Sequence, residues 1–145
     1  MFEISRSVSA LGSKDSLDMS FSEALQSIYG FGDRLILYWN NTVLEVYIKY
    51  DLSVSWRDIQ KMMLDLKSKK EAFSLIWPSQ SFWGAWNFSL GPDDILSVVP
   101  NWSQPIQDTL IVPRKSFLVE WEKALSDIRQ DLISQGYVLN ELENY

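Results

Sequence analysis

Residues 34–50, RLILYWNNTVLEVYIKY, constrain the fold more than any other stretch of the chain. Leu35, Leu37 and Trp39 alternate with Arg34, Ile36 and Tyr38. Beyond Asn40, Asn41 and Thr42, the residues Leu44, Val46, Ile48 and Tyr50 alternate with Glu45, Tyr47 and Lys49. Period two in β-branched and aromatic residues predicts two strands with one buried face. Asparagine tolerates the positive φ of a tight turn, so Asn40 and Asn41 form its centre. A two-stranded hairpin is not stable alone in water, so the remaining chain must cover and extend it.

The flanking segments supply the cover. Phe2, Ile4, Val8 and Ala10 fall on even positions, with Arg6 interrupting, and predict a strand over residues 2–10. Ser20 and Glu23 make a capping box for a helix carrying Phe21, Leu25, Ile28 and Tyr29, with Gly30 as its left-handed stop. A second box, Ser55 with Asp58, and a Val54–Ile59 staple start a helix bearing Trp56, Ile59, Met62, Met63 and Leu66. Lys67, Lys69 and Lys70 close it where cations complement the dipole. Short strands follow over 72–77, 82–90, 95–99 and 109–112. Gly84 marks a bulge or a close backbone approach, and Gly91, Pro92, Asp93 and Asp94 mark a turn. Residues 113–135 form the longest helix, with Phe117, Trp121, Ala124, Leu125, Ile128 and Leu132 on one stripe and Gly136 as its stop. The acidic tail, 140–145, is expected to fray. The expectation is an α+β fold, one domain over 1–145, with an antiparallel or mixed sheet of about five to six strands and three helices in the order β-α-β-β-α-β-β-(β)-α.

Composition bounds the function. The chain has 145 residues and a net charge of −6. That balance disfavours nucleic acid and anionic membrane surfaces and suits a basic protein partner. There is no cysteine and no histidine. Disulfides, thiolate sites, the commonest metal ligand and the usual general base are therefore absent, and no metal, cofactor or catalytic activity is expected. No apolar run reaches membrane-spanning length and residues 1–4 do not read as a secretory signal, so a cytoplasmic location is expected.

Two features invite a functional reading. Asp93 and Asp94 are adjacent carboxylates, but adjacent residues on a turn diverge more often than they converge. Trp77, Trp83, Trp86 and Trp102 crowd one span, and their rings fit core packing, a protein interface or a sugar platform.

An acidic α+β chain that ends in a strand followed by VPRKSFLVEWEKALSDIRQDL resembles bacterial toxin-immunity proteins, including those of contact-dependent growth inhibition. The resemblance covers the general layout and about the last third of the chain. It implies a monomeric binder that neutralises one cognate toxin, often a nuclease, and that is encoded directly after it. The competing expectation is a type III secretion chaperone, which is similar in size and acidity but dimeric. For an immunity protein, the binding surface is expected at the loops 91–94 and 100–108. Trp83 and Trp102 would be its anchors, and Asp93, Asp94 and Asp108 its steering charges. The outer face of the last helix, through Glu120, Glu122 and Asp127, is the alternative.

Overall fold

The computed structural model describes residues 1–78, 82–101 and 108–145, and of Trp83 the backbone alone. Among them the fold is α+β, with seven strands in two antiparallel sheets and three helices. The first sheet, ordered β1-β2-β3, comprises β1 (Phe2–Ser7), β2 (Arg34–Trp39) and β3 (Thr42–Tyr47). The second is a meander of β4 (Ala72–Pro78), β5 (Trp83–Leu90), β6 (Ile95–Asn101) and β7 (Leu110–Pro113). Helices α1 (Phe21–Ile28), α2 (Trp56–Lys67) and α3 (Arg114–Ser134) complete it.

The hairpin forms as its alternation dictates. Ile4, Leu37 and Leu44 share one inward row, and Leu35 pairs Val46 in the next. Asn40 takes φ 53 at the turn. Arg6, the break in the β1 pattern, lies in register with Leu35, and its guanidinium reaches Asp131 of α3 at 2.7 Å. The irregularity is thus a cross-element ion pair. β3 stops at Tyr47 rather than Tyr50. A π-helical turn, Ile48–Leu52, replaces the expected strand end because the buried Asp51 carboxylate accepts the Tyr47 N–H at 2.8 Å.

Two sheets form where one was expected. β1 cannot accept a further strand along its Ile4 edge, because the Glu120 carboxylate of α3 takes the Ile4 N–H at 2.8 Å. At the end of the sheet, the hairpin tip meets the residues just before β7 through side chains rather than a ladder. Trp39 Nε1 donates to the Asp108 carbonyl at 2.6 Å, and Asn40 Nδ2 donates to the Thr109 carbonyl at 3.2 Å.

One core joins both sheets. α3 packs on β1 and β7, while α2 packs on β4 and α3. The stripe residues Trp56, Ile59, Leu66, Trp121, Leu125 and Ile128, expected to pack on the hairpin face of Leu44, Val46 and Ile48, are buried, but the sheet partner of α2 is β4 and not the hairpin. The centre is aromatic. Trp86 lies 4.9 Å from Trp39, 5.2 Å from Trp77 and 6.3 Å from Trp121, ring centroid to centroid. Trp77 and Trp86 are therefore core residues.

The helix ends show which local signals prevailed. At α1 the Ser20 hydroxyl accepts the Glu23 N–H, while Glu23 accepts the Met19 N–H, closing the box one residue early. Gly30 is not left-handed: α1 ends at an extended Tyr29, and the Asp33 carboxylate takes the Gly30 N–H at 2.7 Å. The α2 box does not form. Ser55 enters with ψ 5 straight from the preceding turn, its hydroxyl makes no capping bond, and Val54 is exposed. Left-handed residues follow the other two helices: Lys69, just beyond α2, takes φ 57, and Gly136, just beyond α3, takes φ 96. The tail, expected to fray, is docked on the start of α1 by main-chain hydrogen bonds. The carbonyls of Glu143 and Tyr145 accept the N–H groups of Phe21 and Ser22, which are two of the donors a helix start leaves unpaired.

Candidate functional site

The expected binding residues do not lie together. β6 pairs with β7 so that Ile95 faces Pro113 and Val98 faces Leu110. The turn at 91–94 therefore sits beside the start of α3. Asp108 lies at the opposite end of the sheet, near Asn101, which pairs Ala85 on β5. Six residue steps along β6 separate the ends by roughly 20 Å. The Trp83 backbone pairs Pro78 at the Asp108 end. Its side chain, and Trp102 with the rest of 102–107, lie outside the described residues.

The 91–94 end is cationic as much as acidic. Asp93 and Asp94 both take φ 60, a left-handed conformation open to aspartate. Asp94 is held by the buried Arg114, whose Nε and Nη2 donate to its two oxygens at 2.7 and 3.1 Å. Arg114 Nη1 donates to the Leu66 carbonyl at 2.9 Å, fastening α3 to the end of α2. The Arg114 hydrogen bonds hold the Asp94 carboxyl below its ordinary range, and the charges of Lys69 and Lys115 add to the effect. Asp93 alone of the pair is exposed without an ion pair. Of the alternative residues, Glu120 is engaged by Ile4 and Lys123, whereas Glu122 and Asp127 are exposed.

Between these two ends lies a surface that the loop reading overlooked: the outward face of β4–β7. Its rows are Ala72, Ser89, Ser97 and Ile111; Ser74, Asn87 and Val99; and Ile76, Ala85 and Asn101. None of these ten residues is charged, in a chain that is 22% charged. Ile76, Val99 and Ile111 stand 61%, 45% and 63% exposed. Four strands about 4.8 Å apart over that length present roughly 400 Å², half of the ~800 Å² that one partner gives a standard interface. The two loop ends would supply the remainder. The signal was present in the sequence as small or uncharged residues at alternate positions opposite the aromatic ones.

Other polar clusters act as latches. Asp131 accepts from Arg6 and, at 2.6 Å, from the buried Tyr29 hydroxyl. Burial and that bond push the Tyr29 pKa well above its ordinary value. Burial also pushes the Tyr137 hydroxyl up to about 12, helped by its bond to Asp18. Burial alone would raise the Asp33 carboxyl. Donation from the Ser9 N–H, the Gly30 N–H and the Ser9 hydroxyl offsets this and leaves it below the usual range. Among the described residues no group of three or more carboxylates is placed to hold a metal, and no helix is long and apolar enough to cross a membrane.

Compared with family models, curated proteins and solved structures, the chain matches none.

Proposed function

We propose that this chain binds a protein toxin and neutralises it, as the resemblance to immunity proteins implies, and that the outward face of β4–β7 is the centre of the contact. The observation that carries the reading is that uncharged face with its three exposed aliphatic side chains. Interface centres are depleted of charge and surrounded by a polar rim. Here the rim would be Asp108 and Asn101 at one end and Asp93, with its neighbouring cations, at the other. A net charge of −6 would speed encounter with a basic partner. The toxin class suggested by the resemblance is a nuclease, acting in the cytoplasm where the binder would meet it.

Co-expression provides the test. The product encoded immediately upstream is expressed in a susceptible bacterial host with and without this chain. Growth rescue by the parent chain, lost with Ile111→Glu at equal soluble yield, is the expected result. Growth arrest that the parent chain fails to relieve would overturn the proposal.

A further inference from the structure

Among the described residues, three arginines have a carboxylate partner: Arg6 with Asp131, Arg34 with Glu45 and Arg114 with Asp94. Arg129 is half-buried and has none. Among the described residues, no carboxylate oxygen lies within 4.0 Å of its guanidinium. Its Cζ lies over the Trp56 ring, 5.7 Å from the ring centroid, and Nη2 donates to Gln60 Oε1 at 2.8 Å. These contacts fix the guanidinium in place while engaging one of its five N–H donors. Burial lowers its pKa.

Arg129 opens onto a cleft of about 220 Å³ between α2 and α3, space for roughly seven waters at about 30 Å³ each. Lys67 comes to the cleft from α2, two helical turns beyond Gln60. Ser126 and Glu122 come from α3 at one and two turns before Arg129. A preorganised fork of donors, a second cation and a hydroxyl around one cleft are the elements that recognise a phosphate or carboxylate. Glu122 works against them and limits affinity.

We propose that the α2–α3 cleft is a binding site for a small oxyanion, held by the Arg129 fork with Lys67 and Ser126, while Gln60 positions the guanidinium. The site lies on the helical layer, is distinct from the sheet face, and does not depend on the toxin-binding reading. An anion here replaces the missing carboxylate partner of Arg129 and leaves the Trp56 contact intact.

The test is an NMR titration of the full chain at constant ionic strength, following the Arg129 Nε–H and the Gln60 side-chain amide. Inorganic phosphate and acetate are used as separate probes. Saturable shifts at millimolar concentration are expected with at least one probe, and the probe that saturates identifies tetrahedral or planar recognition. Arg129→Lys should weaken binding about tenfold, because a point charge replaces the fork. Glu122→Gln should tighten it several-fold by removing a like charge, and as an exposed change it keeps the test informative if Arg129 variants fold poorly. Absence of saturation with both probes, or parental affinity in Arg129→Lys and Glu122→Gln alike, would overturn the proposal.

Discussion

Trp121→Ala gives the sharpest test of the packing. Trp121 is fully buried on α3 and lies 6.4 Å from Trp77 and 6.3 Å from Trp86, so it ties the helix to the second sheet. A buried aromatic removes about 150–250 Å² from water, and at ~25 cal/mol per Å² this amounts to about 4–6 kcal/mol. A realistically compact unfolded chain reduces that by 10–40%, to about 3–5 kcal/mol, in line with measured Trp→Ala costs in cores. Trp121 Nε1 has no hydrogen-bond partner among the described residues, so no polar contribution is added. At ~2.1 cal/mol/K per residue, the 145-residue chain unfolds with an entropy near 0.3 kcal/mol/K, which places the Tm drop at about 10–16 °C. Urea denaturation and calorimetry together measure both quantities. A loss below about 1.5 kcal/mol, or a Tm within about 4 °C of the parent, would refute the assignment of Trp121 to the core. A milder pair sharpens the test. Trp39→Phe should cost about 1 kcal/mol more than Trp121→Phe, because Trp39 alone of the two loses a hydrogen bond, to Asp108.

Further outcomes are expected. Asp94→Asn should lower the melting temperature, because it leaves the buried Arg114 without its carboxylate; Asp93→Asn, on the same turn, should not. Asp33 has a depressed folded pKa. Its contribution is present above its ordinary value of 3.8 and lost as pH falls through the lower folded value, so Asp33→Asn should flatten that part of the acid-unfolding profile. Tyr137 has a raised pKa. Its contribution is complete below pH 10.0 and lost as pH rises toward about 12, so Tyr137→Phe should flatten the alkaline limb of a melting-temperature profile.

Local rules read the fold well wherever one periodicity dominated. The hairpin alternation, the α1 cap and the stripe of α3 all have short-range causes, and each is visible in the residues concerned. Misreadings arose where a distant side chain decided the outcome. Asp33 ended α1 in place of a left-handed Gly30, and Asp51 turned the expected continuation of β3 past Tyr47 into a π-helical turn. Glu120, more than a hundred residues away, closed the β1 edge and with it the prospect of one continuous sheet. Composition alone makes the acidic tail a candidate for fraying, because its hydrogen bonds are main-chain bonds to Met19, Phe21 and Ser22, which no side-chain pattern announces. The binding surface suffered from the same limit. Asp93, Asp94 and Asp108 look like one acidic group in sequence, yet strand register places them at opposite ends of a sheet, and Arg114 takes up one of them.

The central claim is that the uncharged face of β4–β7 is the contact surface. Calorimetric titration of the upstream-encoded partner onto the parent chain, Val99→Glu and Ile111→Glu tests it most directly. Both side chains point to solvent, so each variant should melt like the parent. The account predicts a loss of affinity of at least about a hundredfold, roughly 2.7 kcal/mol, for a charge placed at the interface centre. Parental affinity in both variants would contradict it.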